Sequence, residues 1–187
     1  SAPDGTLYVA DTGRKQVLVY GRDERFIEAF GTDDAFRPTG LAIWGDEIYV
    51  ADTKAHEVVV FDRQDGSVLR RLGGAGSELG KLMYPTALAI GPDGDLYVSE
   101  IGNFRVQKMS PDGLGLHAFG GPGDAPGSFA RPKGIAVDPE GRLYAADAAF
   151  ENVQIFDPDG QLLIFFGGPG NQAGNLNMPT SIEITTR

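Results

Sequence analysis

Four acids stand at matching places in a recurring motif: Leu7-Tyr8-Val9-Ala10-Asp11, Ile48-Tyr49-Val50-Ala51-Asp52, Leu96-Tyr97-Val98-Ser99-Glu100 and Leu143-Tyr144-Ala145-Ala146-Asp147. Brought together, they would form a ring of hard oxygen ligands of the kind that holds calcium. An acid at a strand end has a second use, accepting backbone N–H groups of the turn that follows, and this local use is the one expected here. Zinc chemistry would want several imidazoles around one open coordination position. Only His56 and His117 exist, in different repeats, and the absence of cysteine removes thiol nucleophiles and thiolate ligands. The glycine-rich run 74–82 has the wrong spacing for a phosphate loop, with Leu82 where a hydroxyl would be needed. Neither Ser77 nor Ser128 lies in a Gly-x-Ser-x-Gly elbow. Asp157-Pro158-Asp159-Gly160 opens like a calcium loop but runs on into an apolar strand without the closing Glu. No catalytic residue, metal ligand or cofactor is assigned, and calcium is left without a specific motif.

The elements that must carry any site are set by a repeat. Pro38-Thr39-Gly40-Leu41-Ala42-Ile43 recurs at Pro85, Pro132 and Pro179, with a spacing of 47 each time. After each Pro motif come the acid-terminated strand, then runs such as Val58 to Phe61 and Val106 to Met109, then a run closing on Leu72-Gly73 or Phe119-Gly120. These short β-branched and aromatic runs, bounded by turn residues, read as strands. Asp65-Gly66, Asp93-Gly94, Asp112-Gly113, Glu140-Gly141 and Asp159-Gly160 supply tight hairpin turns. Four antiparallel strands per repeat, at this period, predict an all-β fold, a β-propeller of four-stranded antiparallel blades. The repeats fall at approximately 1–37, 38–84, 85–131 and 132–178 of a single domain, 1–187, with 179–187 expected as a closing strand beside the first blade. That arithmetic fits a closed four-bladed ring or part of a six-bladed one.

The pattern Pro-x-Gly-Ile-Ala-Val, then Leu-Tyr-Val-Ala-Asp, then Asn-x-Arg-Val-Gln, then Asp-Gly and Phe-Gly resembles the NHL repeat over nearly the whole chain. Asn103-Phe104-Arg105-Val106-Gln107 carries it most fully, while Ala87 and Ser181 replace the glycine of the Pro motif. The resemblance implies six blades and a binding platform for protein or RNA, with a periplasmic or extracellular setting. A related six-bladed group of metal-dependent lyases and lactonases supplies the alternative function.

The residues expected to bind lie on the face formed by the loops before each Pro and after each acid-terminated strand. Long loops run from Gly73 to Pro85, Gly120 to Pro132 and Gly167 to Pro179, whereas that from Gly31 to Pro38 is short. Such loops on a rigid frame are where recognition residues sit. The candidate set is Arg37, Thr39, Tyr84, Thr86, Phe104, Arg131, Lys133 and Met178, rich in the Arg, Tyr and Met of binding hot spots. A net charge of -10 disfavours nucleic acid as the partner. No run is long and apolar enough to span a membrane. The expected function is a non-catalytic scaffold for a protein or small-molecule ligand. Leu162 to Phe166, five apolar residues on an outer strand, or an unclosed blade, would offer a surface for self-association.

Overall fold

The computed structural model describes residues 2–31 and 33–185. The described residues form strands and turns without helix. The first blade holds β1 (Leu7–Asp11), β2 (Gln16–Tyr20) and β3 (Phe26–Phe30). The second holds β4 (Pro38–Trp44), β5 (Glu47–Asp52), β6 (Glu57–Asp62) and β7 (Val68–Gly73). The third holds β8 (Pro85–Ile90), β9 (Leu96–Glu100), β10 (Arg105–Met109) and β11 (Gly115–Phe119). The fourth holds β12 (Pro132–Val137), β13 (Leu143–Asp147), β14 (Asn152–Phe156) and β15 (Leu162–Gly167). Within every blade the strands are antiparallel and lie in chain order, three in the first sheet and four in each of the others. The turn glycines Gly66, Gly94, Gly113, Gly141 and Gly160 all have positive φ, as the hairpins require.

Consecutive apolar residues in one strand serve two cores. In the second blade Ile48, Val50, Val59 and Phe61 pack toward the first blade with Val17 and Phe36. Their neighbours Tyr49, Ala51, Val58 and Val60 pack toward the third with Leu82, Leu96 and Met109. A third cluster, including Tyr97, Phe119, Phe129, Leu143 and Phe156, joins the third and fourth blades. The pleat therefore alternates as usual, but both faces are covered, which is why the sequence shows unbroken apolar runs. Each loop leading into an inner strand drops one large side chain into the joint: Phe36, Leu82 and Phe129 are all fully buried.

Inner strands approach closely around the axis. A Cβ added to Gly40 on β4 would lie 2.5 Å from the Thr86 carbonyl oxygen and 3.0 Å from Ala87 Cα on β8. The same relation recurs one period further on, where Gly134 of β12 lies against the backbone of Ser181 and Ile182. This corrects the expected closure. Among the described residues, 179–185 form no strand and β1 pairs only with β2, because the tail continues beside β12 as the next inner segment. Residues 186 and 187 lie outside the described residues. The outer strand β15 is the edge of its sheet, and Leu163 to Phe166 are each between 48% and 57% exposed.

Candidate functional site

The recurring acids bind their own loops. The Asp52 Oδ1 atom accepts the backbone N–H groups of Arg37, Lys54 and Ala55 at 3.1 to 3.2 Å. Asp147 takes four, from Ala130 and Arg131 on one oxygen and from Ala149 and Phe150 on the other. Glu100 accepts Met83 N–H at 2.8 Å and the Asn103 side-chain amide at 2.6 Å. Asp11 accepts Arg14 N–H at 2.8 Å. Each acid thus ties the turn after its strand, and in three blades it also ties the segment entering the same blade's inner strand. The local role expected from sequence is the one the geometry shows. No cluster of three or more His, Asp or Glu suited to a metal occurs among the described residues.

A second set of clamps was not read from the sequence. Gln107 accepts Gly80 N–H at 2.6 Å and donates to the Lys81 carbonyl at 2.9 Å. Gln154, 47 residues later, repeats both bonds with Gly127 and Ser128. These carboxamides hold the two long loops, 74–84 and 121–131, to the following blade. The short loop before Pro38 has Val59 at the corresponding place, and Phe36 packs there instead. The recurrence of Gln at one repeat position was the available signal. Arg105 adds a third clamp, donating to Glu100 and to the carbonyls of Ser77, Glu78 and Lys81.

With the loops fixed, the candidate residues separate into two groups. Thr39, Thr86 and Lys133, from the second position of three successive inner strands, meet Thr180 and Ala87 around an axial pocket of about 260 Å³. The Thr39 hydroxyl lies 2.9 Å from that of Thr53, which also donates to the Pro85 carbonyl at 2.6 Å across the joint between blades. The remaining candidates are spread along the rim and do not line that pocket. Arg37 is turned onto its own loop, its Nη1 donating to the carbonyls of Asp34 and Phe36. Tyr84 and Met178, both in the left-handed region, and Arg131 are exposed. Tyr84 N–H donates to His56 Nδ1 at 3.0 Å, and the two rings meet edge to face at 4.5 Å. Phe104 stands apart on the outer rim, lining a hollow with Asn103, Arg105 and Pro122.

Inner strands around an axial pocket, blades joined face to face and loops gathered at one mouth define a β-propeller. Residues 37–61, from the end of the first loop through most of β6, match the family model of the NHL repeat. No curated protein matches the chain. Among solved structures it is similar to a catalytically inactive virginiamycin B lyase from Staphylococcus aureus crystallised with quinupristin. The TM-score is 0.74 at 16% identity, covering 96% of this chain and 56% of that one. A protein of unknown function from Bacteroides thetaiotaomicron gives 0.73 at 20% identity, covering 95% and 50%. Hydrazine synthase from Kuenenia stuttgartiensis gives 0.66 at 18% identity, covering 88% and 46%. The chain spans about half the length of these structures, and at these identities the likeness is one of fold.

Proposed function

We propose that this chain is a non-catalytic binding scaffold whose loop face receives a protein or small ligand, with an anionic group of that ligand entering the axial pocket. The observation that carries this reading is the convergence of Lys133 with Thr39, Thr86 and Thr180 on one pocket. A Lys ammonium with three neighbouring hydroxyls suits a carboxylate or phosphate, and Lys133 enters none of the ion pairs found among the described residues. The carboxylates and amides nearby are engaged in holding loops, which supports a rigid, preorganised mouth. Thermal denaturation in citrate and in inorganic phosphate, against chloride at equal ionic strength, tests the proposal. Either polyanion should raise the melting temperature of the protein more than that of Lys133→Met, the general salting-out stabilisation being common to both. An equal response in both proteins removes the axial site. Stoichiometric calcium or zinc in the purified protein would instead favour a metal-dependent lyase or lactonase.

A further inference from the structure

The axis has a second mouth, on the face of the hairpin turns. Strands β4, β8 and β12 run from the loop face, where Thr39, Thr86 and Lys133 stand, to the hairpin face, where they end at Trp44, Ile90 and Val137. There a pocket of about 280 Å³ is lined by Trp44, Ile90, Val137 and Ile184, with Pro92 and Pro139 from two of the hairpins. Trp44, the single tryptophan of the chain, is 45% exposed. Its indole leans over the hairpin of the next blade, where a Cβ on Gly94 would lie 3.3 Å from the ring nitrogen. Asp138 also borders the pocket but is committed to its own hairpin, accepting Arg142 Nε at 2.6 Å and the Arg142 backbone N–H at 2.8 Å.

The charge around this apolar mouth follows one pattern. Asp4 and Asp46 share Arg63, Asp93 and Asp95 share Lys108, and Asp138 and Glu140 share Arg142. Two carboxylates on one base leave one negative charge in excess at each of the three places. The outer turns of the same face add Asp65, Asp112 and Asp159, none of which enters an ion pair found among the described residues.

We propose that the hairpin-face mouth docks a polypeptide segment presenting one apolar side chain flanked by Lys or Arg. A volume of about 280 Å³ lies just below the roughly 300–1,000 Å³ of small-molecule sites and suits a single large side chain. The more exposed acid of each pair, Asp46, Asp93 or Glu140, lies outside the pocket. Cations that match these acids must therefore be carried apart from the apolar group, as neighbouring residues of a chain carry them. Trp44 gives the apolar side chain an aromatic wall and an adjacent cation a ring face. The excess charge selects the sign of the flanks and speeds encounter. This site shares no lining residue with the pocket around Lys133 and goes beyond the reading of the loop face, so either can fail without the other.

The emission of Trp44, measured on the full chain at low salt, reports occupancy directly. The probe is acetyl-Lys-Arg-Leu-Arg-Lys-amide, blocked at both ends so that it brings no carboxylate to Lys133. Its controls are acetyl-Glu-Glu-Leu-Glu-Glu-amide and acetyl-Lys-Arg-Gly-Arg-Lys-amide. The probe should shift the emission to the blue, with both controls at least about tenfold weaker and the affinity falling as salt is added. The triple variant Asp46→Asn, Asp93→Asn, Glu140→Gln leaves Arg63, Lys108 and Arg142 one acid each. It should keep the melting temperature within about 2 °C and bind the probe about tenfold more weakly. Trp44→Ala, followed by calorimetry, should weaken binding by a similar factor. Equal binding of either control, unchanged binding in either variant, or no response to the probe overturns the proposal. So does a blue shift on concentrating the protein alone, which would give the mouth to a second copy of the chain.

Discussion

Arg105 and Glu100 form an ion pair inside the third blade, with Nε 2.6 Å from Oε1 and the Glu100 side chain fully buried. The pair is not an isolated one. The same guanidinium satisfies three carbonyls of loop 74–84, and the other Glu100 oxygen takes Met83 N–H and Asn103. Removing one partner leaves a buried charge without compensation, which costs about 3–5 kcal/mol. Arg105→Met should therefore lower unfolding free energy by that amount in urea, and adding Glu100→Gln should recover part of it. A loss below about 1 kcal/mol would show that the pair does not hold the loop.

A second network predicts the response to pH. Arg70 donates two hydrogen bonds to Glu47, at 2.6 and 2.7 Å, and Tyr49 OH donates a third at 2.7 Å. The Arg70 bonds hold the Glu47 carboxyl below its ordinary value of 4.5. The native state thus takes up the proton less readily than the unfolded chain, and the stabilisation, complete above about pH 4.5, is lost as pH falls through the lower folded value. Tyr49 behaves in the opposite sense. Burial, then the neighbouring Glu47 carboxylate, push its phenol from 10.0 up to about 12, so stability present below pH 10 declines between there and about pH 12. Urea midpoints measured across both ranges should show a flatter acid limb in Glu47→Gln and a flatter alkaline limb in Tyr49→Phe. Unchanged slopes in both variants would place the titration elsewhere.

Gly40 sets how close the inner strands come. A β-carbon there would press on the Thr86 carbonyl oxygen, so Gly40→Val must move β8 away from β4. A loss of about 1–3 kcal/mol is expected from the overpacking, with weaker anion binding at the axial pocket because Thr39 and Thr86 separate. Ala87→Gly, at the same repeat position one blade on, should leave the pocket intact. Calorimetry together with the citrate titration checks both. Equal behaviour of the two variants would show that the close approach does not shape the pocket.

Most of the fold is legible residue by residue. Val58 to Phe61 are apolar without a break because alternate side chains enter two different cores, and only stacking of sheets on both faces gives every one of them a dry partner. Asp-Gly hairpins announce the turns, and the strand-end acids announce their own capping role. The clamps were less visible. A Gln at position 107 or 154 looks like any polar strand residue until the preceding loop is folded over it, and the His56 to Tyr84 contact joins residues 28 apart through two left-handed backbone positions. The expected closing strand failed because counting strands says nothing about curvature around the axis.

What the sequence determined alone is the unit: four strands, their order, the acid that locks each turn, and a period of 47 that carries all of it forward. These follow from local chemistry, since side-chain alternation, hairpin turns and capping need only a few neighbouring residues. The tertiary structure decided which repeat positions meet. It set Lys133 among three threonines at the axis, and it brought Gln107 and Gln154 under the loops that they clamp. Those outcomes depend on the packing of one blade against the next, where distance in the chain ceases to measure distance in space.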